Sequence, residues 1–153
     1  MIIAGVDAAL RHTGIAIMEY PSLNIVELNL VKPKSSKAQE AIIETGRKVL
    51  AQLQQYNVER VIIEEPDMQG SVGRLTGNMS WLMAVAYFIA GLCECNNIRY
   101  ILVPVQVWKG QAPKQIIYNR LTEVYHELTQ FKFSDDRIDA IGLARWGATH
   151  FQR

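Results

Sequence analysis

One feature constrains this chain more than any other: an apolar run that ends in an acid. Ile2, Ile3, Ala4, Gly5 and Val6 are followed directly by Asp7. A short, continuous apolar run of this kind reads as a strand buried on both faces of a sheet. A carboxylate at its end is costly to desolvate, so it is normally paired, hydrogen-bonded or bound to a cation. Asp7 therefore has two readings, a ligand in a metal or phosphate site and an Asx-type cap of the turn that follows. Ala8 and Ala9 keep the space around it small and open. Thr13 and Gly14 then lead into a second apolar run, Ile15 to Met18.

The rest of the chain alternates strands and helices. Residues 2–7, 14–19 and 24–31 read as a meander of three strands, with a turn at Tyr20, Pro21 and Ser22. A polar loop follows, with Ser35 or Ser36 as candidate N-cap. The spacing of Ala38, Ile42, Ile43, Val49, Leu50 and Leu53 predicts a helix over 37–56. A strand over 58–64 is stopped by Pro66. Residues 67–78 read as a loop, and 79–95 as a helix apolar nearly all round. A strand over 99–103, closed by Pro104, precedes a loop over 105–112. Pro113 suits the first turn of a helix running to about 128. Ser134 is the candidate N-cap of a last helix over 135–151. The expected fold is α/β: a mixed five-stranded sheet, an antiparallel meander plus parallel strands, flanked by helices. With 153 residues and no linker or repeat, residues 1–153 read as one domain.

Four acids stand out against this frame. Ligand sites in such sheets lie beyond the carboxyl ends of the parallel strands. Asp7 ends strand one, and Glu64 and Glu65 end strand four. If those strands are neighbours, the acids share one edge and repel unless a cation lies between them. Asp136 and Asp139, three apart, share a helix face. Acids in a first helical turn are also ordinary dipole and capping chemistry. Four carboxylates without a His or Cys cluster suit Mg²⁺ or Mn²⁺ rather than zinc. Two such ions about 4 Å apart are a recurring arrangement for phosphodiester hydrolysis.

Composition narrows the partners. The formal charge of +1 gives no global basic field, so a nucleic-acid partner needs local positive charge. Arg11, His12, Lys32, Lys34, Lys37, Arg74, Lys109 and Lys114 are candidates, each of which also reads as solvated surface. Cys93 and Cys95 point in different directions on a helix and read as free thiols in a reducing cytoplasm. The N-terminus reads as a strand and not an export signal. The apolar stretch 81–93 is too short to span a bilayer, so no membrane is expected.

The segments GVDAALRHTGIAI, VIIEEP, VPVQVWKGQAPK and DDRIDAIGLARW, in this order, resemble RuvC-type Holliday-junction resolvases of the ribonuclease H-like superfamily, in their compact phage-like form. The resemblance covers nearly the whole chain. It implies a ribonuclease H-like sheet and a metal-dependent endonuclease that cuts four-way DNA junctions in pairs. It also implies that Asp7, Glu64, Asp136 and Asp139 are catalytic acids holding two Mg²⁺ ions, with Mn²⁺ as the alternative. Glu64 is preferred to Glu65 because it directly follows Ile63; Glu65 is then a neighbour behind it. Lys109 and Lys114 match basic positions that approach the DNA backbone, and Arg11, Lys34, Lys37 and Arg74 are further DNA-binding candidates. Trp108 reads as a packing residue rather than a base stacker. By the same resemblance helix 79–95 forms a homodimer interface; the other reading is that it lies in the monomer core. Trp81, Tyr87 and Phe88 cannot all face one small sheet, which favours the dimer. The implied location is the cytoplasm of a bacterial or phage-infected cell.

The chain departs from the family pattern in two places. Ala8 and Ala9 stand where proline and glycine commonly follow the first aspartate. Asp67 and Met68 stand where an aromatic is often found. Other readings are a related nuclease acting on RNA–DNA hybrid, structured RNA or other branched DNA, and a non-cleaving junction-binding protein. An actin-like ATPase shares the strand, aspartate and Thr-Gly hairpin. It needs a second nucleotide-binding half for which this chain is too short.

Overall fold

The computed structural model describes residues 1–66 and 77–150. A single five-stranded sheet, ordered β3-β2-β1-β4-β5, organises them. Its strands are β1 (Ile2–Asp7), β2 (Thr13–Glu19), β3 (Ile25–Val31), β4 (Arg60–Glu65) and β5 (Arg99–Pro104). β1, β2 and β3 pair antiparallel, and β1, β4 and β5 pair parallel. This is the expected mixed sheet. The carboxyl ends of β1, β3, β4 and β5 therefore lie at one edge.

Alternation along the strands sorts side chains between two layers. Ala4, Val6, Ile15, Ile17, Val61 and Ile63 face α1 (Ala38–Gln55) and α2 (Gly77–Cys95). Ile3, Ala16, Met18 and Ile62 face α5 (Asp136–His150). α5 crosses closely because β2 offers it Gly14: a Cβ there would run into the carbonyl of Asp136. Two short helices, α3 (Val105–Trp108) and α4 (Lys114–Val124), and a tight turn over His126–Gln130 lead into α5.

Several local expectations are corrected. Asp135, not Ser134, caps α5: its Oδ1 accepts from the Arg137 backbone N–H at 3.0 Å, and its carboxylate also holds the Arg137 guanidinium. No serine hydroxyl caps α1. Lys37 is its N-cap, and Ser35 Oγ accepts from the Lys37 backbone while donating to Glu40. β4 starts two residues later than expected because the Val58 N–H is taken by Leu53 at the end of α1. The segment expected as a loop over 105–112 begins with α3, and the helix expected to reach 128 stops at Val124. Trp81 and Phe88 pack half-buried against the core, and Tyr87 is exposed. α2 covers both in part because it packs on α1 as well as on the sheet.

Candidate active site

The register of the sheet brings the first two acids together. Val6 is the partner of Ile63, so Asp7 and Glu64 end neighbouring strands in step and share the face that looks at α5. Glu65 falls on the other face, where its carboxylate accepts the hydroxyl of Tyr87 on α2. α5 supplies the other two acids from its first turn, Asp136 and Asp139. Asp7 and Asp139 are only 8% and 4% exposed. The turn after Asp7 is closed by Thr13, whose Oγ1 donates to the Ala9 carbonyl at 2.7 Å.

The acids act on one another. Burial raises the Asp7 carboxyl well above its usual range, and the charges of Glu64, Asp139 and Asp136 push it further. Glu64 is raised by burial and by Asp139, against a hydrogen bond from Trp108 and the charges of Lys109 and Lys114. Asp136 is raised chiefly by burial, with Lys114 and His12 opposing. Such mutual repulsion in a cleft marks a candidate functional site.

Two lysines answer the acids. Lys109 Nζ lies 3.1 Å from Asp139 Oδ1, and Lys114 Nζ lies 2.8 Å from Asp139 Oδ2. Burial works against the Lys114 ammonium, but Asp139, Asp7 and Asp136 outweigh it and raise its pKa. The other predicted cations are placed differently. The Arg11 guanidinium donates to the Ser35 and Ser36 carbonyls, pinning the hairpin turn to the loop after β3. Lys34 and Lys37 are exposed on that loop, and Lys37 pairs with Glu40. Arg74, Asp67 and Met68 lie outside the described residues.

Beside Asp136 opens a cleft of about 480 Å³ lined by Leu10, Arg11, His12, Trp81 and Leu82. A wider hollow of about 740 Å³ lies along the outer edge of β5, between Arg60 and Leu102. Among the described residues it gathers no group of acids.

As a donor set, buried carboxylates that repel one another and carry no thiolate or imidazole fit a hard divalent cation. As placed, among the described residues, no three Asp, Glu, His or Cys side chains already converge as a cation cage. Asp139 is committed to Lys109 and Lys114 instead. Those ammonium groups offset part of the acids' mutual repulsion.

With this geometry in place, solved structures give the comparison. The structure of Thermus thermophilus RuvC in complex with Holliday junction substrate superposes with a TM-score of 0.80 at 17% identity, covering 99% of this chain and 95% of that one. The fold is that of RuvC. A second T. thermophilus RuvC structure matches with a TM-score of 0.72 at 17% identity, over 99% of this chain and 97% of that chain. The yeast mitochondrial Holliday junction resolvase Ydc2 matches with a TM-score of 0.60 at 10% identity, over 98% and 82%. No family model and no curated protein sequence matches the chain.

On this RuvC fold, one residue of the site escaped the sequence reading. Trp108 packs, as expected, but its indole N–H also donates to Glu64 at 3.0 Å. The available signal was its position beside Lys109, just past a strand that ends at the same edge as the acids.

Proposed function

We propose that this chain is a metal-dependent, structure-selective DNA endonuclease that resolves four-way junctions by paired phosphodiester hydrolysis. The observation that carries the proposal is that Asp7 and Glu64, side by side at one sheet edge of a RuvC fold, feel the charge of Asp139 on α5, and Asp7 that of Asp136 too, with the carboxyls of Asp7, Glu64 and Asp136 all raised. These four acids would hold two Mg²⁺ ions, with Mn²⁺ as the alternative. Bound there, the ions supply Lewis acidity to the scissile phosphate. The chain's own residues do the rest. Asp7 and Glu64 hold fixed places because their strands are locked in register. Lys109 and Lys114 offset part of the cluster's charge in the free protein, and on substrate entry their ammonium groups face the phosphate backbone. Arg11 braces the hairpin turn beside Asp7, and Lys34 and Lys37 offer exposed charge to flanking DNA.

Symmetric cutting needs two sites, so the working form is a homodimer through α2. Tyr87, 45% exposed, and Gly91, which has open space where a Cβ would stand, support that interface. Sedimentation should give the dimer mass for the wild type and the monomer mass for Tyr87→Asp. An unchanged mass in both would remove α2 from the interface. No helix among the described residues is long and apolar enough to cross a membrane, and the cytoplasm is the proposed location.

Substrate competition tests the function. With Mg²⁺ present, a four-way junction should be cut in preference to RNA–DNA hybrid, flap and linear duplex. Preference for the hybrid would keep the site and overturn the substrate.

A further inference from the structure

Trp108 reaches the acid centre through its one polar atom. Its Nε1–H donates to Oε2 of Glu64 at 3.0 Å. The ring is seated on α5 at Gly142, where a Cβ would come within 2.5 Å of Cζ3 of the indole. Beside that seat opens a cavity of about 240 Å³, lined by the ring with Gly142, Ile117, Arg120, Leu121 and Arg145. Apolar packing alone therefore does not enclose the ring. The Gly142 seat, the cluster of Ile62, Val103 and Leu143, and the bond to Glu64 together define its place. Lys109, the next residue, sets its ammonium 5.4 Å from the ring centroid and 3.1 Å from Asp139. One short stretch of chain thus holds an acid from β4 and an acid from α5.

We infer that Trp108 is a positioning residue for Glu64. By occupying Oε2 it leaves Oε1 as the atom free to ligate a divalent cation, and it fixes where that atom points. The inference rests on reading Glu64 as a metal-site acid. The terminal torsion of a glutamate is broad, so an unheld carboxylate turns freely and presents either oxygen or both. An indole is a donor only, so it can orient the carboxylate but cannot replace it as a ligand. Partners of this kind behind a metal ligand are typically worth about 10–100-fold in metal affinity or activity.

The test separates this inference from the nuclease reading. In ¹⁵N-labelled metal-free protein the three tryptophans, Trp81, Trp108 and Trp146, give three indole resonances. Trp108→Phe identifies one by its loss. Glu64→Gln, which leaves Trp108 in place, should shift that resonance and leave the other two unmoved. Trp108→Phe should also bind Mn²⁺ about 10–100-fold more weakly by calorimetry. Its kcat on a four-way junction should fall with KM unchanged, and added Mg²⁺ should restore part of the loss. Gly142→Ala, which retains the indole but takes its seat, should weaken Mn²⁺ binding in the same direction. A Trp108 resonance that ignores Glu64→Gln, or a Trp108→Phe protein that binds Mn²⁺ as tightly as wild type, overturns the inference. Failure of the wild type to cut any junction while the resonance still moves with Glu64→Gln overturns the nuclease reading and leaves Trp108 holding Glu64.

Discussion

The ammonium of Lys109 lies 3.1 Å from Oδ1 of Asp139, and the two side chains are only 9% and 5% exposed. Lysine is among the residues least often buried, and it is retained inside a protein when paired. Lys114 takes the other oxygen of the same carboxylate from a more exposed position. A single acid from the first turn of α5 thus carries two cations, while Asp7 and Glu64 beside it repel.

Removing Lys109 should cost stability, but less than a fully orphaned buried charge. Lys109→Met leaves Asp139 with Lys114, so the loss should fall below the about 3–5 kcal/mol of an unpaired buried ion. Each kcal/mol appears as about 2–4 °C in Tm for a chain of this length. Asp139→Asn in the same background should recover part of it. Urea melts of the single and double variants measure the coupling, and additive losses would show that the pair is not coupled.

The acid cluster should make the metal-free protein less stable as pH rises. The Asp7 carboxyl is raised by burial, then by Glu64, Asp139 and Asp136. The folded state therefore holds its proton more tightly than the unfolded chain does. That contribution is lost as pH climbs from about 4 through the raised folded value. Glu44 works in a separate window. Lys48 and the Lys34 backbone lower it to about 2, so its contribution is full above its unfolded value and is lost only as pH falls toward 2. Thermal melts in EDTA between about pH 5 and 8 should show a decline in wild type that is smaller in Asp7→Asn. Identical declines would mean that Asp7 is not the titrating group.

The sheet was legible in the sequence because its strands announce themselves. Apolar runs stop at Asp7, at Glu64 and Glu65, and at Pro104, and the structure places these three ends side by side. The alternation that separates Glu64 from Glu65 follows from the same period of two. Caps were harder: Ser134 and Asp135 are both good N-caps, and only the nearby Arg137 guanidinium favours the aspartate. Least legible were the partners of the acids. Lys109 meets Asp139 from 30 residues away, and Trp108 meets Glu64 from 44 away. No local pattern encodes such meetings. They depend on how α3 is seated between β5 and α5.

Exposed charge at the same edge should show in salt dependence. Lys34 and Lys37 leave β3 at the end where Asp7 and Glu64 stand, and both are solvent-exposed. Each phosphate contact contributes about 0.9 to the slope of log K against log salt on duplex arms. Lys34→Ala should weaken junction binding and reduce that slope by about 1. An unchanged slope would place Lys34 off the DNA path.

The measurement that bears most directly on the central claim uses an end-labelled four-way DNA junction with Mg²⁺ and compares wild type with Asp7→Asn. Wild type should give paired, symmetric nicks, and the variant should bind the junction without cleaving it, with a rate loss of at least about 10²-fold, the scale of removing one group that stabilises transition-state charge. Cleavage by Asp7→Asn at the wild-type rate, or a wild type that binds the junction and leaves it intact with either Mg²⁺ or Mn²⁺, would contradict it.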